Sequence, residues 1–332
     1  MRWLKRDEGL SMVLVGVLLA VLLALSGMAV DLGAVFAERR ELRNGADAAA
    51  LAIAEDCGRQ VAPCNEATAT ATAQEYADAN AHDHASAVNA IDLTITGPAT
   101  GAIRVVTGAW DATAEEAGVR VPLLSLLGFR RIQVGAAATA IFDHPTDAEG
   151  LPLIIDTCEF DKAGGYGTGS MVTLYFHSPS STDPPPMQCP SNPAHMDFPG
   201  GFGWLAPNLG GACAAAVAAG RWASADPGNS LPQPECRDPG EILAAILDQD
   251  ILLPMYVDIN SRDKKYLVAG FSAFHVTAYA LASGGKYSYP PGFKCPLNPS
   301  DTCLQGHFTS ATVYTGTPGG DDYGVVLVKL TE

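Results

Sequence analysis

Few residues in this 332-residue chain have the types and spacing that chemistry needs. His82-Asp83-His84 offers two imidazoles around a carboxylate, the donor types of a transition-metal site. Residues two apart share a face only on an extended strand, and no third ligand stands nearby, so a polar loop is the reading preferred. Asp258, Asn260 and Asp263 precede Lys264-Lys265, and Asp321-Asp322 lies in a glycine-flanked turn. Oxygen donors of this kind bind calcium, but neither stretch has the length or the glutamate of an EF-hand loop, and turn formation accounts for both. Gly167-Thr168-Gly169-Ser170 lacks the G-x-S-x-G elbow of a serine hydrolase. Cys158 is followed by Glu159 and Asp161, whose charges disfavour a thiolate. His275 alternates with apolar neighbours in a strand-like run, where a packed histidine is the ordinary outcome. No Walker or dinucleotide-binding motif is present, no cofactor is called for, and the chain reads as a non-enzyme.

The cysteines carry more information. All eight, Cys57, Cys64, Cys158, Cys189, Cys213, Cys236, Cys295 and Cys303, follow the apolar N-terminal run. None forms a C-x-x-C pair or has a histidine at zinc-module spacing. Dispersed cysteines of even number in a turn-rich chain (34 Gly, 23 Pro) fit disulfides in an oxidising compartment. Sequential pairing is expected, because each bond then staples a short loop: Cys57–Cys64, Cys158–Cys189, Cys213–Cys236 and Cys295–Cys303. A net charge of −16 repels phosphate backbones and excludes nucleic acid as a natural partner.

The apolar run, Leu10 to Val30, holds no charge and covers roughly 32 Å as a helix, about the thickness of a bilayer's hydrocarbon core. A cleaved secretory signal has a shorter apolar region, of about 7–15 residues, and a small-x-small cleavage site. Ala29-Val30-Asp31-Leu32-Gly33 is a poor context for cleavage, so a retained single-pass anchor is expected. Arg2, Lys5 and Arg6 before the span and Arg39, Arg40 and Arg43 after it leave orientation weakly marked by charge. The cysteines decide it: the N-terminus lies in the cytoplasm and the bulk outside the cell.

Helical periodicity continues beyond the span. Val35, Leu42, Ala46, Ala49 and Ile53 fall near one face, with Glu38, Arg39, Glu41 and Arg43 on the others, predicting one helix to about Glu55. Gly45 weakens it by about 1 kcal/mol relative to alanine. A second helix is expected over Asn65–Ala81, and strands over Ile91–Thr96, Ala102–Trp110 and Ile132–Phe142, with a turn of helix at Pro122–Leu127. A boundary falls between His144 and Pro152. Beyond it, Ser178–Pro199 reads as a long loop and Glu241–Asp248 as a short helix. Strands are expected at Ile251–Ile259, Tyr266–Leu281, Phe308–Tyr314 and Gly324–Leu330. The fold class is therefore α+β, divided as a cytoplasmic segment (1–9), a span (10–30), a module over 31–144 and a β-rich domain over 153–332.

Ala29-Val30-Asp31-Leu32-Gly33, then Arg39-Arg40-Glu41-Leu42-Arg43-Asn44, then Ala46-Asp47-Ala48-Ala49-Ala50-Leu51-Ala52 resembles the N-terminal region of TadE/TadG-like proteins of the Tad (Flp pilus) assembly machinery. The likeness covers roughly residues 9–56, and Val119–Ala140 is similar to the strand-rich end of that module. The second half is more distantly similar to actinobacterial Tad-related proteins, through Gly201-Phe202-Gly203-Trp204-Leu205, Gly228-Asn229, Leu253-Pro254 and Gly270-Phe271 with Phe274. The resemblance implies a pilin-like architecture, a long helix half in the membrane and half against a small sheet. Type IV prepilins and TadE-type pseudopilins are cut after a glycine, with a glutamate five residues on. Here Gly9 follows Asp7-Glu8, but the fifth residue on is Leu14. That departure implies the TadG-like branch, an anchored accessory component whose partners are Tad membrane proteins, pilins or a second copy of the chain. Asp31 and Asp47 are the candidate assembly residues, although Asp31 at the span's outer end is also an ordinary interfacial acid. The competing reading is an anchored ligand-binding or adhesin-like module contacting its target through Trp204, Trp222, Tyr287 and Tyr289.

Overall fold

A computed structural model describes residues 7–175, 203–207, 213–226, 236, 243–260, 262–281, 287–296, 299 and 302–331. The expected loop Ser178–Pro199 lies outside them, as do Gly201, Phe202, Gly228 and Asn229.

Helix α1 runs without a break from Asp7–Arg59, 53 residues and roughly 80 Å. It passes four residues beyond Glu55 and stops where Gln60 turns into the left-handed region (φ 55°). Its two halves meet different surroundings. From Met12 to Leu25 the large apolar side chains stand exposed, whereas Leu42, Ala46, Ala49, Ala50, Ile53 and Ala54 are buried. Helix α2 (Glu66–Asn80) lies against the second half, its start capped by Asn65, whose side-chain oxygen accepts the N–H groups of Ala67 and Thr68. Ala69, Ala73 and Ala77 form its buried stripe. Gly45 has its reason here. A Cβ on it would meet the Ala77 Cα at 3.1 Å, so the residue that weakens an isolated helix lets the two helices close.

Strands β1 (Ser86–Gly97) and β2 (Thr100–Asp111) form an antiparallel hairpin, with β3 (Glu116–Ala117) on the end of β2. Strand β1 begins five residues before the expected Ile91. Asp78 of α2 draws it in, its carboxylate accepting both the N–H and the hydroxyl of Ser86, at 2.9 and 2.8 Å. A small ribbon, β4 (Val119–Arg120) and β5 (Arg131–Ile132), holds a 3-10 turn over Leu124–Leu127 at its tip. Strand β6 (Gly135–Asp143) then pairs with β2. Alanines of α1 pack on Ile103, Val105, Ala138, Ala140 and Phe142 of this sheet; small residues bring helix and sheet close together.

The next part carries β7 (Asp147–Gly150), β8 (Ile155–Asp156), the short α3 (Thr157–Lys162), β9 (Val172–Tyr175), β10 (Ala215–Ala218) and β11 (Trp222–Ser224). It is built around a long hairpin of β12 (Asp250–Asn260) and β13 (Lys265–Leu281), flanked by β14 (Tyr287–Tyr289) and β15 (Cys303–Thr309). The main sheet runs β8-β12-β13-β15-β9 and encloses Trp204, Leu253, Met255, Phe274, Leu304 and Phe308. Phe308 sits edge-on to both Phe160 and Phe274, with ring centroids 5.0 Å apart in each pair. The fold is α+β.

The run expected as one strand over Phe308–Tyr314 is two. Strand β15 ends at Thr309 in the second sheet, and β16 (Ala311–Val313) lies in the first. Strand β17 (Val325–Thr331) follows it there, antiparallel to β6 and parallel to β16, so the first sheet reads β1-β2-β6-β17-β16. An apolar β-branched run marks strand character but not which sheet receives it, and the chain changes sheet at Ser310. Although β17 follows the expected boundary at 144–153 in sequence, it completes the sheet that α1 packs on.

Candidate functional site: the C-terminal end of the apolar run

Among the described residues α1 is the one helix long and apolar enough to cross a membrane, and none of its most apolar stretch is buried. Gly16 and Gly33 have no atom within 4 Å of a Cβ position, so those faces of the helix are open. The chain first meets the rest of the molecule at Gly27 and Asp31. Leu123 Cδ1 lies 3.0 Å from where a Cβ on Gly27 would stand. The Asp31 carboxylate is 4% exposed and accepts the Leu124 N–H at 2.6 Å. Within the chain its bond is to a loop far away in sequence. It ties the tip of the β4–β5 ribbon to the helix, a link across 93 residues that no local pattern announces.

Asp47 is half-buried. With Phe36, Arg39, Arg40, Arg43 and Asn44 it lines an open furrow of about 340 Å³ along α1. Three arginines and one acid on successive turns make a basic strip in an otherwise acidic molecule. On another side of the helix, Glu41 accepts the His82 N–H at 2.9 Å. Burial, then the charges of Asp83 and Glu41, push the Glu38 carboxyl above the usual range.

At the far end of α1, Glu55 receives the Thr312 hydroxyl at 2.9 Å and the Tyr314 hydroxyl at 3.1 Å, with Arg59 at 3.5 Å. Nearby Cys57 is bonded to Cys64, closing the turn between the two helices. Cys213–Cys236 and Cys295–Cys303 are also joined, and Cys158 is disulfide-bonded, whereas Cys189 lies outside the described residues.

The remaining sequence candidates are dispersed. Among the described residues no three His, Cys, Asp or Glu side chains converge as a metal site. Asn260 caps its own turn, accepting the N–H groups of Arg262 and Asp263. Asp322 accepts the Tyr166 hydroxyl at 2.8 Å and the Gly324 N–H at 3.0 Å. His275 contacts Asp250 through Nδ1 at 2.7 Å and lies across from His307, ring centroids 5.0 Å apart. Trp204 is wholly buried. Trp222 and Tyr289 are 44% and 42% exposed, but they pair with Leu267 and Tyr279 of β13, so roughly 40 Å of strand separates them. They share no binding face.

No curated protein and no solved structure matches this chain. The apolar half of α1 and the alanine-rich half that grips the sheet are together similar to one known family: residues 9–55 match the model of the Flp pilus-assembly TadE/G-like proteins.

Proposed function

We propose that the protein is an accessory structural component of a Flp-type pilus-assembly or related surface-secretion system, held in the membrane by α1 and without catalytic activity. The match of residues 9–55, covering both the open apolar half of α1 and the half that packs on the sheet, carries this reading. Residues 1–9 lie in the cytoplasm, residues 10–30 cross the bilayer, and the disulfide-bonded remainder stands outside, in an oxidising compartment. That remainder comprises a helix-on-sheet module, residues 31–144 together with β16 and β17, and a β-rich domain over the residues between. Leu14 occupies the place of the pilin glutamate, which favours a fixed component over a polymerising subunit. Its partners are pilins or other membrane proteins of the same machinery, or a second copy. The furrow of Arg39, Arg40, Arg43 and Asp47 on the outer part of α1 is the surface offered to them.

Deletion of the gene, with surface pili counted by electron microscopy and restored by complementation, tests the role. Loss of pili that returns with the wild-type gene supports it. Pili of unchanged number and length in the deletion strain overturn it.

A further inference from the structure

We propose that the nine-residue loop Val121–Phe129 is a second membrane contact, an apolar wedge seated in the outer leaflet beside α1. The proposal rests on the reading of α1 as a membrane span. The loop reads Val-Pro-Leu-Leu-Ser-Leu-Leu-Gly-Phe and holds no charge. Leu126 is 86% exposed, and Leu123, Leu127 and Phe129 are exposed with it. Four large apolar side chains at one ribbon tip call for a partner.

The position of the tip identifies that partner. Leu124 is hydrogen-bonded to Asp31, the first charged residue after the span, and Leu123 packs at Gly27. Gly27 lies three residues inside Val30, roughly 4.5 Å deeper along the helix. The tip is thus fixed at the depth where hydrocarbon gives way to headgroups, and its exposed leucines lie beside a helix whose own side chains face lipid.

The backbone is suited to that place. A loop in an apolar medium must satisfy its own N–H groups. At six positions they find partners within the chain: Val121 donates to Arg130, Leu124 to Asp31, Ser125 to Val121, Leu126 to Leu123, Gly128 to Ser125 and Phe129 to Leu124, while Pro122 has no N–H. Exposed Arg130 follows at once, where a cation meets lipid phosphates, and Arg131 is held back by Asp111 and Glu116 at 2.9 and 2.8 Å. A lipid interface fits this pattern of apolar tip and basic shoulder better than a protein partner, because the span itself sets its depth.

Full-length protein in vesicles containing a phospholipid with a diazirine on its acyl chain provides the test. After illumination, modified peptides are mapped by mass spectrometry. Adducts are expected both in the span (10–30) and in the loop (121–129). Leu126→Asp with Phe129→Asp is expected to reduce loop adducts at least about tenfold, with span adducts unchanged, since a charge at this depth is expelled. A labelled span with an unlabelled wild-type loop overturns the proposal and leaves the anchor standing. Absence of adducts from both overturns the anchor reading itself.

Discussion

The hydroxyl of Thr312 donates to the carboxylate of Glu55 across 2.9 Å of space and 257 residues of sequence. Tyr314 donates to the other oxygen of the same carboxylate, so the edge strand of the first sheet is buttoned to the end of α1 at two points. Glu55→Ala leaves both hydroxyls to water. Because the site is partly open, the cost expected is about 1–2 kcal/mol, seen as a lower denaturation midpoint with an unchanged slope. A midpoint equal to wild type would show that solvent replaces these bonds without loss.

Gly45 makes a steric prediction. Its replacement by alanine gains helix propensity but brings a methyl to 3.1 Å from the Ala77 Cα, a backbone atom that moves only with α2. Gly45→Val adds bulk to the same spot, and a loss of about 1–3 kcal/mol is expected from the overpacked contact. Thermal unfolding of the two variants checks the order, with valine well below wild type.

Tyr166 makes a prediction about alkaline pH. Burial, then the bond to Asp322 and its charge, push its hydroxyl from the ordinary 10 up to about 12. The folded state thus holds this proton more tightly than the unfolded one. The stability it confers is complete below pH 10 and is lost as pH rises from 10 through 12. Tyr166→Phe is expected to cost about 1 kcal/mol at neutral pH, by removing the donor to Asp322. It should also flatten the fall in unfolding midpoint between pH 10 and 12 relative to wild type. Parallel curves for the two proteins would contradict this.

The elements that were legible in sequence are those whose cause is local. The uncharged run Leu10–Val30 and the alanine stripe Ala46, Ala49 and Ile53 lie within single helical periods, and Asn65 caps the helix that follows it directly. Strands β12 and β13 fall within a residue of their expected bounds, because their β-branched and aromatic runs are long. What sequence could not display depends on residues far away. Ser86 joins β1 because Asp78 receives it, Asp31 is buried because Leu124 reaches it, and the run through Ser310 divides because two sheets compete for it. Each is a pairing choice between segments, and pairing between distant strands leaves no periodic mark in either partner. The site was legible to the same degree: Asp31 stood out as an isolated acid at an apolar boundary, while the ribbon that it holds, though visible as a short leucine-rich turn, gave no sign of where it docks.

The placement of β17 has a consequence for the order in which the fold closes. Thr331 bonds to Thr139, 192 residues earlier, and Val326 and Val328 fill the core beneath α1. A chain made from its N-terminus delivers α1, α2 and the first three long strands early, but β6 waits with one edge open while the whole β-rich part follows. An open strand edge is a template for wrong partners. The arrival of Val325–Thr331 closes that edge, so a chain ended before β17 keeps an open strand in the sheet beneath the second half of α1. Closure of the first sheet thereby reports that the chain has been delivered through β17.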